Sequence, residues 1–77
     1  MVHAFVMVET AAGESEAIRD RVMEFAGVTE AHVVAGEYDI IAEAGTGDIQ
    51  DVLHTVSTEM QSLAGVVRTK TYISLDD

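Results

Sequence analysis

The segment Gly36-Glu37-Tyr38-Asp39 places an aromatic ring and two carboxylates at one bend of the chain. Backbone N–H groups at such a bend can meet a carboxylate, and carbonyls or Asp39 can meet an ammonium, which is how a loop holds a small zwitterion. The same residues also read as a hairpin turn, with Gly36 able to take a positive φ and Asp39 beginning the next strand. Thr69 and Thr71 present two hydroxyls at i, i+2 spacing, one face of a strand. Threonine is also simply a good strand former, so both readings stay open there. His3, His32 and His54 have no i, i+4 helical pairing and there is no cysteine, so no metal site, cofactor or catalytic residue is assigned. Gly45-Thr46-Gly47 lacks the lysine of a phosphate loop and reads as a lead-in to a helix cap.

The elements that must position these residues repeat once. Phe25-Ala26-Gly27-Val28 matches Leu63-Ala64-Gly65-Val66 at an offset of 38 residues, and Ile18, Val22 and Phe25 fall on Val56, Met60 and Leu63. Each half therefore reads as strand, helix, Gly-Val corner, strand. Ile49, Val52, Leu53, Val56, Met60 and Leu63 form one helical stripe, with Asp48 as N-cap and Gly65 as stop. The first helix is marked by Gly13, Glu14 and Glu16 at its start, by Ile18, Val22, Phe25 and Ala26 along its stripe and by Gly27 at its end. Strands are expected at Val2–Glu9, Val28–Ala35, Tyr38–Ala44 and Val66–Leu75, with Gly36-Glu37 as a tight hairpin connection. The fold class is α+β: a ferredoxin-like βαββαβ sandwich, a four-stranded antiparallel sheet with two helices on one face.

Composition narrows the partners. The chain is one domain of 77 residues with 14 Asp plus Glu against four Lys plus Arg, a formal charge of −10. Four cations in that field cannot replace counterions along a phosphate backbone, so no direct nucleic-acid partner is expected. The longest apolar run, Ala4 to Val8, is far too short to span a membrane, and no basic leader precedes it, which reads as a cytoplasmic protein. The acidic excess with a single lysine suggests a halophile, because molar salt shrinks the screening length to about 3 Å and removes the self-repulsion.

In the first strand, Val2, Ala4, Val6 and Val8 alternate with His3, Phe5 and Met7. Helices can bury one of these sides only. A second apolar face on an antiparallel sheet needs a cover, and a symmetric copy supplies one. A homodimer is expected. Whether Thr69 and Thr71 or Lys70 and Tyr72 face the helices stays open.

The chain resembles the effector-binding (RAM) domain of the Lrp/AsnC transcription regulators. The resemblance rests on Phe5-Val6-Met7-Val8, Ala26-Gly27-Val28, Val34-Ala35-Gly36-Glu37-Tyr38-Asp39-Ile40 and Leu63-Ala64-Gly65-Val66-Val67-Arg68-Thr69-Lys70-Thr71. It implies a sheet-mediated dimer, ring-like higher oligomers and a small amino-acid effector near a subunit interface. Gly36, Glu37, Tyr38 and Asp39 would form the ligand loop, with Thr69 and Thr71 beside it. The chain starts at its first strand, which fits a stand-alone form without the helix-turn-helix module, with full-length regulators of the family as further partners. The expected function is a non-enzymatic amino-acid-binding and oligomerisation module. The alternative is a small enzyme of the dimeric α+β barrel type, a monooxygenase or isomerase, using His3 or His32 with a carboxylate in a cleft between helices and sheet.

Overall fold

The computed structural model describes residues 2–76. Four strands, β1 (Val2–Thr10), β2 (Val28–Val33), β3 (Ile40–Thr46) and β4 (Val66–Ile73), form one antiparallel sheet in the order β2-β3-β1-β4. Helix α1 (Ser15–Val22) joins β1 to β2, and α2 (Ile49–His54) with a π-helical continuation (Thr55–Met60) joins β3 to β4. This is the expected βαββαβ plait. The strands end within two residues of the expected bounds.

Alternation decides which face each residue meets. Ala4, Val6, Val8, Ile40 and Ala42 have no exposed surface and pack with Ile18, Val22, Val52, Val56 and Met60 in a single core. In the β1–β4 register Val6 opposes Thr71 and Val8 opposes Thr69, so Thr69 and Thr71 take the helix side and Arg68, Lys70 and Tyr72 the open side. The face of β4 left open by the sequence is thereby settled.

The repeated text is a repeated corner. Gly27 and Gly65 both have left-handed φ, 89° and 96°. The carbonyl two residues before each accepts from the valine after it: Val28 N–H donates to Phe25 and Val66 N–H to Leu63. A side chain is strained at such φ, and at Gly65 a Cβ would also stand 2.9 Å from Ile18 Cδ1.

Three local expectations are corrected. Positive φ falls at Gly13, Gly27 and Gly65, not at Gly36. The connection between β2 and β3 is a wide bend from residue 34 to 39, closed by Val34 N–H donating to the Asp39 carbonyl (2.8 Å), rather than a tight turn at Gly36-Glu37. The second helix is not uniform: Gln61 N–H donates to the Val56 carbonyl, an i→i+5 bond. An α-helical step of four residues overshoots one turn and a π step of four falls short. One after the other, they keep Val52, Val56 and Met60 aligned on the core, while Ile49 and Leu53 of the expected stripe stay 41% and 44% exposed. Asp48 caps α2 as expected, its Oδ1 accepting from Gln50 N–H at 2.8 Å.

Candidate functional site

The loop at residues 36–39 is held by a fault in the neighbouring ladder. The β1–β4 register shifts between Glu9 and Thr10. Thr10 N–H donates to Asp39 Oδ2 at 2.8 Å, and Asp39 N–H donates to the Val8 carbonyl at 3.0 Å. Asp39 thus clips the loop to the end of β1 with both its side chain and its backbone. Burial of Thr10 beside this clip leaves no orphan, since its hydroxyl lies 3.0 Å from Ser15 Oγ.

Tyr38 turns onto the open side of the sheet. Arg68 Cζ lies 4.8 Å from its ring centroid, a cation–π distance, and Arg68 Nε donates to Glu9 Oε1 at 2.6 Å. The Glu9 hydrogen bond first, then Tyr38, hold the guanidinium pKa above its ordinary value. Two residues on, Lys70 Nζ lies 5.6 Å from the Tyr72 ring, and that tyrosine chiefly raises the ammonium pKa. Both cations stay charged throughout the neutral range.

The six residues singled out from sequence are only partly brought together. Gly36, Glu37, Tyr38 and Asp39 share one loop, and Tyr38 leans toward Arg68. Thr69 and Thr71 lie at the same end of the sheet but on its other face, where Gln61 Nε2 donates to Thr69 Oγ1 at 2.9 Å. The sheet separates them from Tyr38 within one protomer. Two open grooves, of about 390 and 330 Å³, are lined by Ala26, Gly27, Gly45, Asp51, His54 and Thr55 and by Gly13, Ser15, Glu16 and Val33; neither includes any of the six.

The open face has an apolar middle and charged sides. Phe5 and Met7 of β1 lie there with Ile41 of β3, each partly exposed. His3 Nε2 and Glu43 Oε1 are 3.0 Å apart, and the His3 ring lies 4.9 Å from that of Phe5. His32 Nε2 and Glu30 Oε1 are also 3.0 Å apart. Both histidines therefore meet carboxylates, but on the sheet surface away from the helices, not in the cleft that the enzyme reading needs. Among the described residues no cluster of His, Cys, Asp or Glu can hold a metal ion. No helix there is long and apolar enough to cross a membrane.

Sequence reading passed over Arg68, Lys70, Glu30 and Glu43. The signal was present for the first two, since strand alternation from the Gly65-Val66 corner puts Arg68, Lys70 and Tyr72 on one side. Glu30 facing Glu43 needed the β2–β3 register, which a bulge between Val28 and Glu30 shifts.

The family described as "Lrp/AsnC ligand binding domain" matches residues 3–77. A crystal structure of FFRP-DM1 superposes with a TM-score of 0.90 at 31% identity, over 97% of this chain and 100% of that one. A transcriptional regulator from Neisseria meningitidis, solved as an L-Met complex, shares the fold with a TM-score of 0.84 at 22% identity, over 99% of this chain and 51% of its own. An uncharacterised helix-turn-helix-type transcriptional regulator of Pyrococcus abyssi is 27% identical over 59 residues, which is 77% of this chain and 39% of that protein. The chain thus spans about two fifths of the curated relative it matches.

Proposed function

The chain belongs to the Lrp/AsnC ligand binding domain family, and from that premise we propose that it is an amino-acid-responsive assembly module. Two copies pack sheet on sheet, the dimers build a larger ring, and a small amino acid lodges where copies meet. The observation that carries this reading is the open face: Phe5, Met7 and Ile41 form an apolar centre that no element among the described residues covers, with the clipped loop of Tyr38 and Asp39 at its margin. A second copy removes that apolar surface from water at a gain of about 25 cal/mol per Å².

The proposed ligand residues are Gly36, Glu37, Tyr38, Asp39, Thr69 and Thr71. Because the sheet keeps Tyr38 apart from Thr69 and Thr71 in one protomer, a shared ligand takes the loop from one copy and the threonines from another. Loop N–H groups receive the carboxylate, and Glu37 or Asp39 the ammonium. A ligand held by two copies favours whichever assembly joins them, by its differential affinity. Methionine is the amino acid in the neisserial complex, and it is a first candidate to test here. Companion chains of the same family, including full-length regulators, are the partners this module fits.

The test is calorimetric titration with each proteinogenic amino acid, with sedimentation in parallel. At least one should bind and shift the assembly, and Tyr38→Ala should abolish both effects while leaving the circular dichroism unchanged. No heat and no shift with any amino acid would remove the sensing role.

A further inference from the structure

The duplicated corners are not equally filled. At Gly65 the space in front of the glycine is closed: Ile18 Cδ1 stands 2.9 Å, and Glu14 Cγ 3.6 Å, from the position a Cβ would take. In the repeat, Ile18 falls on Val56 and Glu14 on Val52. Valine has no δ carbon, so both residues on the second helix are shorter than their counterparts. At the Gly27 corner a groove of about 390 Å³ opens instead, lined by Ala26 and Gly27 after α1, by Gly45 of β3 and by Asp51, His54 and Thr55 of the second helix. It lies at the opposite end of the sheet from the loop at residues 36–39: Gly45 pairs with His3 at the start of β1, whereas Ile40 pairs with Val8 near its end.

Polar groups converge on this groove. Asp51, His54 and Thr55 stand at i, i+3 and i+4, one face of a helix. Among the described residues neither the Asp51 carboxylate nor the His54 ring has a hydrogen-bond or ion-pair partner. The π-helical run begins at Thr55, and π turns gather at functional sites. Charge then selects the ligand. Asp51 is the one fixed charge among the described residues that line the groove, in a chain of net charge −10, so an anion is repelled. A bare metal ion would find one carboxylate and one imidazole, fewer donors than a zinc site supplies. A zwitterion brings a carboxylate that no Lys or Arg of the lining receives. The remaining wall is mostly apolar and suits a short hydrocarbon.

We infer that this groove binds a small alkyl primary amine in its ammonium form. The three N–H groups of the ammonium meet three acceptors, the Asp51 carboxylate, a His54 ring nitrogen and the Thr55 hydroxyl, and the alkyl chain lies against Ala26, Gly27 and Gly45. The site is separate from the effector loop and does not depend on the assembly reading.

Nuclear magnetic resonance on the isotope-labelled protein decides it, with four probes. Isopentylamine has the full ligand chemistry. Leucine is the same skeleton with an added carboxylate, isocaproate carries a carboxylate in place of the ammonium, and ammonium chloride lacks the alkyl chain. Isopentylamine should move the amide signals of Gly27, Gly45, His54 and Thr55 saturably, and the other three should leave them in place. Leucine shifts, where they occur, should fall at Tyr38 and Asp39 instead. Asp51→Asn should weaken amine binding about tenfold and His54→Ala about threefold, as expected for a charged and a weaker hydrogen bond, with unchanged circular dichroism. No saturable shift with isopentylamine, an equal response to leucine, isocaproate or ammonium chloride, or an unchanged affinity in Asp51→Asn would overturn the site, while the assembly reading stands or falls on its own sedimentation test.

Discussion

The two faces of the sheet are built from the same four strands, yet they meet opposite fates. On the helix side Ala4, Val6, Val8, Ile40 and Ala42 are fully buried, and the chain supplies its own cover from Ile18, Val22, Val52, Val56 and Met60. On the other side Phe5, Met7 and Ile41 remain partly exposed, bordered by Glu9, Glu30, Glu43, Arg68 and Lys70. A self-covered face needs only shape and apolarity, because chain connectivity already chooses its partner. The open face has no such cover among the described elements, and its apolar centre is the surface that the proposed second copy would bury.

The sharpest way to break this contrast is to damage each face alone. Ile40→Ala removes a fully buried side chain and should cost about 2–5 kcal/mol, a large part of the stability of so small a domain, read as a fall in the urea midpoint. Met7→Asp, on the other face of the same sheet, should leave the circular dichroism spectrum intact but weaken association by a hundredfold or more in sedimentation velocity.

A finer comparison uses the glycine corners. Gly65→Ala combines a left-handed φ of 96° with a Cβ 2.9 Å from Ile18, whereas Gly13→Ala has a φ of 81° and open space. The first should lose roughly 2–3 kcal/mol and the second about 1 kcal/mol by chemical denaturation, the difference being the clash with the core. The smallest effect belongs to the cap of α2: Asp48→Ala should cost about 1 kcal/mol through loss of the bond to Gln50 N–H, a shift of several degrees in the thermal midpoint.

What could be read from the sequence was local or repeated. The duplicated Phe/Leu-Ala-Gly-Val corners, the stripe through Val52, Val56 and Met60 and the Asp48 cap each lie within a few residues, and together they specify the plait. What escaped depends on distant pairings. Gly36 was expected to turn tightly, but Asp39 instead reaches Thr10, 29 residues away, and stretches the bend into a wide loop. The π segment escaped because it answers the spacing of the core, not a helix propensity. Of the candidate site, the loop from Gly36 to Asp39 was visible as a motif. The division of Tyr38 from Thr69 and Thr71 between two faces emerged only once the β1–β4 register was known.

Sedimentation equilibrium of the unmodified protein bears most directly on all of this. We predict a particle of twice the 8.3 kDa chain mass, or a multiple of that pair, persisting on dilution to low micromolar concentration. A single 8.3 kDa species at every concentration and salt would contradict it, for the open face would then face only water.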